Sequence, residues 1–156
     1  MRAVVVLAVL AATANAEPTV NKLAGVSIEI PNAWKMQSQS EQQFAAVDPT
    51  EEAGLLFVAV DVADLKKLKD QLDAELAKTA TELKWDAPQK VTQNGLEGIM
   101  LKGSATIAKK PTRLAALVLT TPKRKGVIVL GAVQADKLAA HKQELDDIVH
   151  SLKALK

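Results

Sequence analysis

The sequence predicts an α+β fold in which an antiparallel sheet is sandwiched between helices, an α/β/α arrangement in a single domain. Three observations predict it. The hydrophobic period changes from two to about 3.6 and back, so strands, a helix, more strands and a closing helix follow one another along the 156 residues. The links between strands are short, as hairpins allow and parallel crossovers do not. Several strands are apolar on both faces, which calls for cover on each side.

The first strand is "VSIEI": Val26, Ile28 and Ile30 fall on one face, Ser27 and Glu29 on the other, so one side is expected to be wet. A lead-in at Thr19 to Leu23 and a turn at Ala24-Gly25 precede it. Pro31 removes a ladder donor and Asn32 favours a turn, which returns Trp34 to the fold from a loop. "EQQFAAV" (Glu41 to Val47) and "LLFVAVDV" (Leu55 to Val62) read as a hairpin around the acid-rich turn "DPTEEAG". From Asp64, a suitable N-cap, the leucines at 65, 68, 72, 76 and 83 repeat at helical spacing, which predicts one amphipathic helix ending before Trp85.

Pro88 opens the second half, a meander. "PQKVTQ" and "LEGIMLKGSATIA" flank Asn94-Gly95, a dipeptide suited to a two-residue hairpin turn. "TRLAALVLTT" (Thr112 to Thr121) and "GVIVLGAVQ" (Gly126 to Gln134) are apolar on both faces. A last helix is predicted from about Asp136 to Lys153, with Leu138, Leu145, Ile148, Val149 and Leu152 within an arc of about 100°.

The N-terminus points to export. Met1-Arg2, the apolar run Ala3 to Ala12 and the small-x-small triplet Ala14-Asn15-Ala16 have the form of a signal peptide cleaved after Ala16. A bilayer-spanning helix needs about 20 apolar residues, and this run is too short for one. There is no cysteine, hence neither a disulfide nor a lipid-attachment site. Loss of residues 1–16 leaves residues 17–156 as a single domain, expected in the periplasm or outside the cell. Of 20 basic residues only Arg2 is lost with the leader, leaving 19 against 18 acidic, a balance unsuited to nucleic-acid binding.

The order of elements also resembles a known superfamily. "GVSIEIPNAWK", "LLFVAVDV" after its acidic turn, "QNGLEGIMLKGSA" and the closing "GVIVLGAVQ…LDDIVHSLK" are similar to the PsbP/DcrB-like pattern from Val20 to Leu152. The resemblance implies an antiparallel sheet flanked by helices. It also implies a mode of action, since members mostly bind or steady other proteins. The match carries no catalytic signature. The absence of cysteine departs from the lipoprotein form common among DcrB-type members.

Candidate chemistry is sparse. His141 falls among the apolar positions of the last helix, where a buried histidine with one hydrogen bond is expected. His150 lies on the outer face with Asp146 and Asp147, three weakly placed groups without a fourth metal ligand. Ser104 in "KGSAT" lacks the surroundings of an acyl-transfer nucleophile, and Glu51-Glu52 and Asp146-Asp147 read as solvated pairs. Lys109, Lys110 and Arg113 stand at one end of a strand of about 33 Å, and Lys123, Arg124 and Lys125 at the other, so no continuous basic groove is expected. Trp34 is expected to pack in an otherwise aliphatic core, with an exposed interface position as the alternative. The resulting expectation is a non-enzymatic exported protein that binds another envelope or secreted protein, without metal or cofactor. Possible interface residues are Trp34, Lys123, Arg124 and Lys125. The alternative is a carrier with an apolar pocket between sheet and helix.

Overall fold

The computed structural model describes residues 16–21, 24–38 and 40–155, so the apolar run Ala3 to Ala12 and the residues before Ala16 lie outside the described residues. Among the described residues, eleven strands and two α-helices follow in the order β1 (Ala16–Asn21), β2 (Val26–Pro31), β3 (Lys35–Ser38), β4 (Gln43–Val47), β5 (Ala53–Val60), α1 (Leu65–Leu76), β6 (Ala80–Trp85), β7 (Gln89–Gln93), β8 (Leu96–Ile107), β9 (Lys110–Thr120), β10 (Gly126–Gln134), α2 (Leu138–His150) and β11 (Lys153–Ala154). Every pairing is antiparallel. A small sheet runs β1-β2-β11, and the main sheet runs β3-β4-β5-β10-β9-β8-β6, with β7 also on β8.

β6 and β7 share the same edge of the long strand β8, and Asp86, Ala87 and Pro88 interrupt them. Proline lacks the N–H that a continuous edge strand would donate.

Alternation along the central strands sorts side chains into two clusters. Leu117, Leu119, Val127, Val129 and Val133 join Ile148 and Val149 of α2, together with Val26, Ile28 and Ile30 of β2. Their neighbours Leu114, Ala116, Val118, Ile128 and Leu130 join Leu68, Leu72 and Leu76 of α1. The strands predicted to be apolar on both faces thus serve both clusters.

Several expectations are corrected. The first helix ends at Leu76, well short of Trp85, and Ala80–Trp85 is a strand. The free edge of β8 supplies hydrogen-bond partners there, Thr79 and Thr81 favour extended backbone, and Trp85 Nε1 donates to Asp73 Oδ1 at 2.8 Å, tying the strand to the helix it left. Leu83 still packs against the α1 cluster from the sheet. The lead-in is a full strand, β1, paired with β2. Ser27 is buried where a wet face was expected; it sits mid-sheet, paired with Val20 of β1 on one side and Lys153 of β11 on the other. The last helix stops at His150, three residues early, and the chain turns to form β11.

Candidate functional site

The turn between β4 and β5 is organised around one carboxylate. Asp48, 1% exposed, accepts from the backbone N–H groups of Thr50, Glu52 and Ala53 and from the Thr50 hydroxyl. Burial pushes its pKa up, and these hydrogen bonds more than offset that, so it ends below the usual carboxylate range. His141 of α2 reaches into this turn. Its Nε2 lies 2.8 Å from Glu52 Oε2 and its Nδ1 3.8 Å from Asp48 Oδ2. The hydrogen bond to His141, opposed by burial and helped by Lys137 at 3.7 Å, lowers the pKa of Glu52. With carboxylates at both ring nitrogens, His141 acts as a clamp between helix and hairpin. A general base needs a nitrogen open to the proton it abstracts, and a nucleophile beside it. Here the Thr50 hydroxyl is already committed to Asp48.

The other sequence candidates lie apart. Trp34 is 4% exposed, belongs to the α2-side core, and donates from Nε1 to Glu144 Oε1 at 3.0 Å. His150 is exposed and donates from Nδ1 to the Asp146 carbonyl at 2.6 Å, while Asp146 pairs with Lys142 and Asp147 accepts from Gln143. Among the described residues no three histidine or acidic side chains converge as metal ligands. Ser104 sits mid-strand in β8, opposite Arg113. In the β9–β10 turn, Lys125 pairs with Asp61, and the Lys123 stem lies where a Cβ on Gly25 would be 3.1 Å away. The basic turn is therefore partly neutralised and partly packed.

A cleft of about 490 Å³ lies between α2 and the sheet, the kind of place the alternative expectation gave an apolar pocket, although sequence reasoning did not identify its lining. Its walls are Leu138, Leu145 and Val149 of α2; its floor is Val91, Met100, Leu117 and Val133. Opposed residues on antiparallel strands share a face, so Lys102, Ala115 and Gly131 form one transverse row beneath the helix. Ala115 and Gly131 keep this row low. A Cβ added at Gly131 would be 3.7 Å from both Leu145 Cδ2 and the Ala115 carbonyl, ordinary van der Waals contact, so Leu145 leaves the depth of about one methyl over Gly131. The rim carries Lys102, Arg113, Lys142 and His150 against Asp86 and Asp146. Small residues in "LAAL" and "VLGAV" were the only signal, and it becomes legible only once the strand register aligns them.

No family model matches the chain, and no curated protein does. Solved structures do. The cyanobacterial PsbP of Synechocystis sp. PCC 6803 superposes with a TM-score of 0.69 at 11% identity, over 90% of this chain and 93% of that one. LpqN of Mycobacterium tuberculosis, involved in cell envelope biogenesis, gives a TM-score of 0.59 at 15% identity, over 90% and 91%. The Ran-binding protein Mog1p of Saccharomyces cerevisiae gives 0.58 at 10%, over 91% and 96%. The chain thus shares the fold of these PsbP-like structures.

Proposed function

We propose that this chain is an exported, non-enzymatic binding protein of the cell envelope, and that its binding element is the cleft under α2. The reading takes residues 1–16 as a signal peptide and the remainder as one domain working in the periplasm or outside the cell. It takes the helices as the outer layers of an α/β/α sandwich, which the division of core side chains between two clusters supports.

The cleft carries the proposal. Its volume of about 490 Å³ falls within the usual range for small-ligand pockets. Val91, Met100, Leu138 and Leu145 line it and are only partly buried, and apolar surface so placed is stabilised by an apolar occupant. Native mass spectrometry of the purified protein tests it. A co-purified adduct lost in an Ala115→Leu variant of unchanged thermal midpoint is expected; an adduct indifferent to that substitution would refute the site.

A second reading, an envelope or secreted protein as partner, is favoured by the fold shared with Ran-binding Mog1p. Its surface would centre on Arg124 in the Lys123–Lys125 turn. Leu155, 40% exposed, is close by, since its N–H donates to the carbonyl of Gly25, the residue beside which the Lys123 stem lies. Trp34, being buried in the core, would have no direct part in such a surface. Crosslinking in intact cells through position 124 should capture one specific protein; capture equal to a leader-only control removes this reading.

A further inference from the structure

We infer that the occupant of the cleft is a single-chain anionic amphiphile, a medium-chain carboxylate with its head between Lys102 and Arg113 and its chain among Val91, Met100, Ala115 and Leu145. This rests on the binding reading above and adds the chemical class of the ligand.

Size sets the first limit. At about 30 Å³ per heavy atom, the share of a water in the liquid, the 490 Å³ of the cleft takes about sixteen heavy atoms. That suits one acyl chain of about ten to fourteen carbons with its carboxylate, and leaves no room for a diacyl lipid.

Charge sets the second. Lys142 is neutralised by Asp146 at 3.0 Å, and His150 is turned to a backbone carbonyl. Among the described residues, Lys102 and Arg113 make no ion pair or side-chain hydrogen bond, and Asp86 is the one rim acid left to face them. The rim thus keeps an excess of one positive charge, which a singly charged head matches.

Register supplies the geometry. Lys102 stands opposite Ala115, and Arg113 opposite Ser104, so the two cations are diagonal neighbours on one face. The two positions are then about 7–8 Å apart, within reach of one carboxylate for side chains of this length. Arginine offers a two-pronged donor set matched to a carboxylate, and lysine a mobile point charge.

Competition against the neutral apolar fluorophore N-phenyl-1-naphthylamine tests the inference on the purified protein. Decanoate, decanol and decyltrimethylammonium share one chain and differ in head charge. Decanoate is expected to displace the probe at about tenfold lower concentration than decanol, the scale of one charge-assisted hydrogen-bonded contact, with the cation weakest. The Lys102→Ala/Arg113→Ala double variant, at two exposed positions, should erase that advantage and leave decanol unchanged. Equal displacement by all three, or an advantage surviving the double variant, would overturn the anionic ligand while the binding cleft stands. Failure of both probe and decanoate to bind, the latter by calorimetry, would overturn the cleft reading as well.

Discussion

Trp34 is held at both ends: its ring lies in the core on the α2 side, and its Nε1 donates to Glu144 on that helix. Trp34→Ala should cost about 3–5 kcal/mol in urea unfolding. Trp34→Phe keeps most of the packing and loses one hydrogen bond, so about 1 kcal/mol is expected from that bond. The Asp48 and Glu52 carboxyls give a pH dependence of definite sign. Both have folded pKa values below their ordinary values of 3.8 and 4.5. The stability they contribute is fully present above those ordinary values and is lost as the pH falls through the lower, folded ones. Unfolding free energy measured from pH 5 down to pH 3 should therefore drop, and Asp48→Asn should flatten the drop while lowering stability at neutral pH. His141 was readable as a buried, hydrogen-bonded residue. Its two carboxylate neighbours were not, because 89 residues separate it from Glu52.

The β7–β8 hairpin is the element whose sequence and structure agree most closely. Asn94 and Gly95 have φ of 49° and 82°, both left-handed, as a two-residue type I′ turn requires. The same turn has a second task. Asn94 Nδ2 donates to the carbonyls of His150 and Leu152, and Gln93 Nε2 to those of Val149 and Leu152, satisfying acceptors at the C-terminal end of α2. Asn94→Ala should then cost about 1–2 kcal/mol, more than a solvent-exposed turn residue usually does. Gly95→Val, which places a branched Cβ at positive φ, should cost about 1–3 kcal/mol. Denaturant titration of both variants checks the order of size. The end of α1 was illegible for a physical reason. Neither glycine nor proline marks it, Leu83 stays in helical phase with Leu76, and the alternative partner, the edge of β8, lies about twenty residues downstream in sequence.

At the scale of the molecule, small residues decide where helix and sheet meet tightly and where they part. A Cβ on Gly126 would fall 2.3 Å from the Val62 carbonyl and 2.4 Å from Leu68 Cδ2, so α1 sits hard on β10 there. At Gly131, five residues along the same strand, a Cβ would only touch Leu145 Cδ2 and the Ala115 carbonyl at 3.7 Å, so α2 leaves room for one methyl there and the cleft opens beside it. Gly131→Ala is accordingly expected to raise stability by about 0.4–1 kcal/mol in thermal unfolding, mainly by restricting the unfolded chain. Gly126→Ala should lower it by about 1–3 kcal/mol through overpacking. Intact-mass measurement on the protein recovered from the expressing cell should find Glu17 as the first residue. Retention of residues 1–16 would remove the export reading and leave the cleft untouched. By itself the sequence determined the alternation of strands and helices, the paired turn at Asn94-Gly95, the helix cap at Asp64 and the apolar stripes, since each rests on neighbours a few residues apart. Only the tertiary structure decided that Ala80–Trp85 leaves the helix for the sheet, that His141 meets Asp48 and Glu52, and that Lys102, Arg113, Ala115 and Gly131 share one hollow. Those outcomes depend on strand register and on how closely a helix approaches a sheet, and both are set by contacts between segments far apart in the chain.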